Sequence, residues 1–153
     1  NRRSYSGVRR VKTYEMIFDR LFTSGHTKRR KLYDKLNTLD FLGVTYVVNL
    51  TRSVDEELQE HFGDKYLYRP VPDGRVNTNH LAVADEVFKL LQDNKRVLVH
   101  CNAGQNRAPF IAALVRRAWY GGVEVELIRQ IRPNALTNEY FVNWLKVGPR
   151  WPS

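Results

Sequence analysis

Val97-Leu98-Val99-His100-Cys101-Asn102-Ala103-Gly104-Gln105-Asn106-Arg107-Ala108-Pro109 is the stretch on which the fold turns. Arg96–His100 reads as a short buried strand. Pro109 to Tyr120 reads as a helix, with proline in its first turn and Gly121-Gly122 at its end. Five residues separate Cys101 from Arg107, so a thiol stands at the base of a tight loop that opens a helix. Such a loop can turn all its N–H groups inward and form, with the helix N-terminus, a nest for a tetrahedral dianion. Gly104 permits the backbone turn. Arg107 can grip two phosphate oxygens at once, which lysine cannot do in the same way. The same positive field favours thiolate over thiol, so Cys101 reads as a nucleophile that needs no dedicated base. The remaining loop positions, Asn102, Ala103, Gln105 and Asn106, complete the expected phosphate-binding loop.

Outward from this unit the chain alternates strands and helices. Ile17–Thr23 reads as an early strand, and Leu32, Leu36 and Leu39 mark a helix over 31–42 that ends near Gly43. Val44–Leu50 is β-branched and almost wholly apolar, as a strand buried on both faces should be. Lys65–Val71 reads as a strand stopped by Pro70 and Pro72, and Leu81, Ala84, Val87, Phe88 and Leu91 form one helical stripe. Two more helices fall near 123–131 and 138–146. The expectation is an α/β fold with a central, mainly parallel sheet flanked by helices. Ligands then bind beyond the carboxyl ends of the strands. The expected organisation is a basic arm over 1–16, one catalytic domain over 17–147 and a tail over 148–153.

Composition narrows the classes further. The chain has 153 residues, of which 42% are hydrophobic and 27% charged, which disfavours disorder, collagen and coiled coil. The longest purely apolar run, Phe110 to Val115, is far too short to span a membrane. One cysteine rules out an intrachain disulfide framework and a multi-cysteine zinc site, and suits a reducing compartment, the cytoplasm or nucleus. His26, His61, His80 and His100 lack metal-ligand spacing, so neither a metal nor a cofactor is expected. No signal-peptide pattern is visible. Residues 1–35 hold eleven basic residues and three acids, a net of +8 out of +9 for the chain. This basic third can contact a polyanion or simply remain solvated.

The residues His100, Cys101, Gly104 and Arg107 complete an HCxxGxxR pattern, and by it the chain resembles the cysteine-based protein tyrosine phosphatase superfamily, in particular its small dual-specificity branch. Leu39–Leu50 is similar to that branch's L-x-x-L-G-I-T-H-V-L-N stretch. Asn138-Glu139-Tyr140-Phe141 with Trp144-Leu145 resembles its C-terminal N-x-x-F-x-x-L helix. The resemblance implies hydrolysis of phosphate monoesters through a phosphocysteine, on phosphotyrosine and phosphoserine/threonine proteins. It implies that His100 orients the loop and helps hold the thiolate without transferring protons.

Expelling an alkoxide or phenoxide calls for a positioned acid. Asp73, in Val71-Pro72-Asp73-Gly74, follows a strand in a turn-prone segment, the place where the family carries its general acid. Its 28-residue separation from Cys101 is short for the branch, and Pro-Asp-Gly is also an ordinary turn. Asp55, Glu56, Glu57 and Glu60 are an alternative source of acid, better read as a solvated helix face. Ala108 departs from the family, which places Ser or Thr there to help the thiolate leave. The uncharged loop interior weighs against phosphoinositides. Gly104-x-Asn106-Arg107 also resembles the RNA 5′-triphosphatase branch, which makes RNA 5′ ends the alternative substrate. A weakly active phosphate-binding module is a third reading.

Overall fold

Side-chain alternation along the strands divides the protein into two cores. The computed structural model describes residues 9–11, 14–28, 30–121 and 125–148. In chain order the strands are β1 (Arg9–Val11), β2 (Tyr14–Phe18), β3 (Leu21–Ser24), β4 (Tyr46–Asn49), β5 (Tyr66–Tyr68) and β6 (Val97–His100). The helices are α1 (Leu32–Phe41), α2 (Glu56–Phe62), α3 (Thr78–Gln92), α4 (Arg107–Tyr120), α5 (Val125–Ile131) and α6 (Glu139–Val147). They flank one sheet of order β1-β2-β3-β6-β4-β5. The pairs β3–β6, β6–β4 and β4–β5 are parallel, and the pairs β1–β2 and β2–β3 are antiparallel. The mainly parallel α/β expectation is therefore met.

Leu21, Val48, Val97 and Val99 point to one face, where α3, α4, α5 and α6 bury Val87, Phe110, Ile128 and Phe141 against them. Phe22, Val47 and Leu98, one residue out of phase, point to the other, under Leu39 of α1 and Leu58 of α2. A period of two with both faces covered leaves no polar side, which is why Val44–Leu50 reads as an unbroken apolar run.

The register aligns Ser24, His100 and Asn49 as the last residues of β3, β6 and β4. All three strands thus run out at one edge, and the segments that leave them form the candidate site.

The early strand expected over Ile17–Thr23 is in fact two. Asp19 takes a left-handed φ of 47° and turns the chain between β2 and β3. Aspartate tolerates this conformation better than most residues. Every residue from 21 to 24 is buried, and so are Ile17 and Phe18, and the break is marked only by the charged pair Asp19-Arg20 between them. The residues expected to form an arm, 1–16, include β1 and the start of β2, so the sheet begins at Arg9. Residues 1–8 and 149–153 lie outside the described residues.

Candidate active site

The segment after β6 sorts its backbone polarity. Most carbonyls of the loop are bound by neighbouring segments: Asn102 O accepts from His26 N at 2.7 Å, Gln105 O from Leu136 N at 2.8 Å and Asn106 O from Phe110 N at 2.9 Å. Ala103 O accepts from the Arg132 guanidinium at 2.8 Å. Among the described residues, no protein acceptor takes the N–H of Asn102, Ala103, Gly104, Gln105 or Asn106. Spent carbonyls and unspent amides make a concave set of donors, which is what an oxyanion requires. Asn106 sits at the N-cap of α4 yet makes no side-chain cap bond to it, so the positive end of that helix stays open to the loop.

Two glycines let the loop seat against the end of β3. Gly104 has a φ of +66°, and a Cβ there would stand 2.8 Å from Gly25 N. A Cβ on Gly25 would stand 2.8 Å from Asn102 O. Both neighbours are backbone and cannot move aside cheaply. Gly104→Ala should therefore displace the loop, and kcat/KM should fall about 10²-fold, since misplacement by roughly 1 Å costs that much. Steady-state kinetics beside a thermal melt check this. Unchanged kinetics would mean the loop tolerates the shift.

Cys101 follows the last residue of β6, buried to 2% exposure, and its N–H donates to Ser24 O at 3.2 Å. Arg107, in the first turn of α4, reaches back to Leu50 O with one guanidinium nitrogen at 3.5 Å and lines a cavity of about 490 Å³. Asp73, Pro72, Arg52 and Asn102 share that lining. The structure therefore brings Arg107, Asp73 and the loop to one cavity, on segments 28 and more residues apart in sequence.

His100 is held differently from the others. Strand alternation turns it to the Leu98 face, away from the Val97 and Val99 side. Its Nδ1 lies 3.4 Å from Cys101 O, and its Nε2 has no partner among the described residues. Burial pushes its pKa down to about 4, outweighing the carbonyl of Cys101 and the charge of Asp55. A neutral ring in the folded state and an ordinary one in the unfolded state mean that the unfolded chain binds more protons below pH 6.5. This contribution to stability is thus complete above about pH 6.5 and is lost as pH falls towards 4. It amounts to roughly 3 kcal/mol. Urea unfolding at several pH values should show a shallower acid slope for His100→Asn than for the wild type, and equal slopes would contradict it.

A buried ion pair supports the bed of the loop. Thr27 Oγ1 donates to Asp55 Oδ2 at 2.6 Å, and Lys35 Nζ reaches the same oxygen at 3.0 Å and Thr27 O at 3.3 Å. Asp55 Oδ1 accepts from Leu58 N and caps α2. Burial alone would raise the Asp55 pKa, but the bonds from Thr27 and Lys35 prevail and bring it below the usual value. Glu56, Glu57 and Glu60 form the exposed helix face that was expected; Asp55 does not belong to it, being 2% exposed.

Asp73 is clamped by two amides. Asn138 Nδ2 donates to Asp73 Oδ1 at 2.8 Å and to Gly74 O at 3.1 Å, and Asn106 Nδ2 lies 3.5 Å from Asp73 Oδ2. Asn138 also caps α6 through Oδ1, and its N–H donates to Asn106 Oδ1 at 2.9 Å. The turn that carries Asp73 is braced from below by His80. His80 Nδ1 accepts from Asn77 N at 3.0 Å, which leaves Nε2–H to donate to Pro72 O at 3.0 Å. Burial between Phe110 and Phe141 lowers the His80 pKa and keeps the ring neutral for this bridge.

Four contributors have no mark in the sequence around the loop: Gly25, Arg132, His80 and Arg52. Asn138 was legible only as the head of the last helix, not as a partner of Asp73. Among the described residues no cluster of His, Cys, Asp and Glu could hold a metal ion, and no helix is long and apolar enough to cross a membrane.

Comparison with known proteins agrees with this fold. Solved structures of the same fold include Tk-PTP in its active form, with a TM-score of 0.72 and 21% identity over 90% of this chain and 96% of that one. The PTP-2 phosphatase of Cydia pomonella gives 0.71 and 18%, covering 89% of each chain. PTPMT1 in complex with PI(5)P gives 0.71 and 17%, covering 88% of this chain and 93% of that one. No match emerges among curated protein sequences. The model of the dual specificity phosphatase catalytic domain matches residues 29–148. With that match over most of its length, the chain belongs to the dual specificity phosphatase family of cysteine-based phosphatases.

Proposed function

We propose that the protein hydrolyses phosphate monoesters through a phosphocysteine intermediate, acting on phosphotyrosine and on phosphoserine/threonine in proteins. The observation that carries this reading is the loop after β6, with most of its carbonyls bound by neighbouring segments, its amides unspent, Cys101 at its foot and Arg107 at its far end.

Cys101 Sγ, as thiolate, attacks phosphorus in line with the leaving oxygen. The S–P bond forms as the P–O bond breaks. Loop amides and Arg107 hold the equatorial oxygens, so positioning and electrostatic stabilisation supply most of the rate. Asp73 delivers its proton to the departing alkoxide or phenoxide. The resulting carboxylate takes a proton from water, which attacks phosphorus, releases inorganic phosphate and returns the thiolate. Asn138 and Asn106 keep the carboxyl at its station through both steps.

Shallow walls support acceptance of both aryl and alkyl phosphates: the cavity is lined by Pro70, Val71 and Pro72, with no aromatic ring among its lining residues. Ala108 bears on the second step. It is fully buried, and no hydroxyl is available there to help the thiolate leave. Ala108→Ser should hasten phosphoenzyme breakdown on the order of tenfold, the worth of one hydrogen bond to a charged group. Burst kinetics measure that step, and an unchanged or slower breakdown would contradict the account.

The alternative, an RNA 5′-phosphatase or triphosphatase, is favoured by the Gly104-x-Asn106-Arg107 ending and the basic residues of 1–35. Against the triphosphatase, a polyphosphate leaves without needing a proton, so Asp73 would have no task. Comparing a phosphopeptide panel with 5′-triphosphorylated RNA decides between them. Hydrolysis of RNA alone would overturn the protein reading, and binding of phosphate without hydrolysis of either would leave only a binding module.

A further inference from the structure

Arg52 is the one charged residue in the lining of the catalytic cavity that neither the loop nor the acid accounts for. The turn that presents it is built with unusual rigidity. Asn49 Oδ1 accepts from the N–H of Thr51 and from its hydroxyl, both at 2.8 Å. Asn49 Nδ2 donates to Ser53 O at 2.9 Å and to the Tyr66 hydroxyl at 2.8 Å. Thr51 Oγ1 accepts from Ser53 N at 3.2 Å, and Asp55 N donates to the Tyr66 hydroxyl at 2.9 Å. Asn49, Thr51 and Asp55 are all nearly inaccessible.

Within that frame Arg52 is exposed and, among the described residues, has no hydrogen-bond, ion-pair or ring partner. A buried polar scaffold therefore fixes the turn that presents, in the cavity lining, a guanidinium with no partner among the described residues. Lys28 stands beside it, its Nζ donating to Ser53 Oγ at 2.8 Å. Arg107 already serves the phosphoryl group being transferred, so a second guanidinium in the same cavity is suited to a second anion. An exposed arginine without a counter-ion loses little solvation on meeting a carboxylate or phosphate, and its planar fork suits both.

We infer that Arg52 is a specificity-determining residue that selects phosphoproteins carrying an acidic or phosphorylated residue beside the one being dephosphorylated. This rests on the phosphatase reading above. A protein ligand fits better than RNA, because the cavity offers Pro70, Val71 and Pro72 as walls and no ring on which a base could stack.

The test measures kcat/KM for a phosphotyrosine peptide whose neighbouring residues are neutral, and for versions with one Glu or one phosphoserine scanned along either side. The wild type should prefer the best anionic peptide about 5- to 10-fold, a preference that shrinks at high salt. In Arg52→Ala the ratio of anionic to neutral peptide should fall to about one, and Arg52→Lys should restore part of it. A preference that survives in Arg52→Ala overturns the inference. So does an equal loss on both peptides, which would make Arg52 a structural residue, and so does an Arg52 effect seen only with 5′-triphosphorylated RNA. Failure to hydrolyse any phosphopeptide or small aryl phosphate would instead overturn the phosphatase reading itself.

Discussion

Cys101→Ser is expected to lower kcat by roughly 10⁴–10⁶-fold while the protein still binds phosphate or tungstate. Serine keeps the shape of the residue and loses the nucleophile. A hydroxyl needs a neighbouring base, and none is at hand. His100 aims Nδ1 at the Cys101 carbonyl and sits on the opposite face of the strand, with its ring neutral. Anion binding depends on the loop amides and Arg107, which the substitution leaves in place. Turnover of a small aryl phosphate and calorimetric titration of the oxyanion measure the two effects separately. Activity within tenfold of wild type would show that Cys101 does not attack phosphorus. Loss of anion binding in a folded variant would show that the loop is not the phosphate site.

Asp73→Asn should slow substrates with poor leaving groups by about 10²–10⁴-fold, and activated aryl phosphates by far less. The contrast follows from chemistry: a good leaving group departs as an anion, whereas an alkoxide must be protonated as the P–O bond breaks. The clamp makes the variant informative. Asparagine can still accept from Asn138 Nδ2, now 2.8 Å from the carboxyl, so the turn keeps its main tether. The weaker contact with Asn106 Nδ2 at 3.5 Å would lose its acceptor if the new amide faced it. Asn138→Ala separates chemistry from placement: it leaves the acid but frees its turn, and should slow all substrates in similar proportion. Equal slowing of good and poor leaving groups by Asp73→Asn would remove Asp73 from the acid role.

Much of the site was legible because its central unit is local. A β-branched strand, a loop with glycine at a left-handed position and a helix opening on arginine follow one another within 25 residues, and each obeys short-range rules. The helix at 78–92 emerged from its apolar stripe, and the one at 107–120 was legible from 109 onwards through its early proline and its terminal glycines. The hairpin of β2 and β3 did not emerge, because buried residues on both sides of Asp19-Arg20 read as one strand across a two-residue turn. Asp55 was grouped with its acidic neighbours because adjacency in sequence says nothing of Lys35, the cation that makes its burial tolerable.

What the amino-acid order determined by itself was the chemistry available: one thiol, one arginine six residues beyond it, and the strand and helix that flank them. What only the tertiary structure decided was the company they keep. Gly25 meets Gly104, Asn138 meets Asp73, and Arg52 faces the cavity, because the parallel register brings β3, β4 and β6 to a common edge and their outgoing segments must pack there. The contacts of Asn138 with Asp73 and of Gly25 with Gly104 span 65 and 79 residues of chain. They are set by which strands pair, and pairing is a property of the whole sheet rather than of any window of sequence.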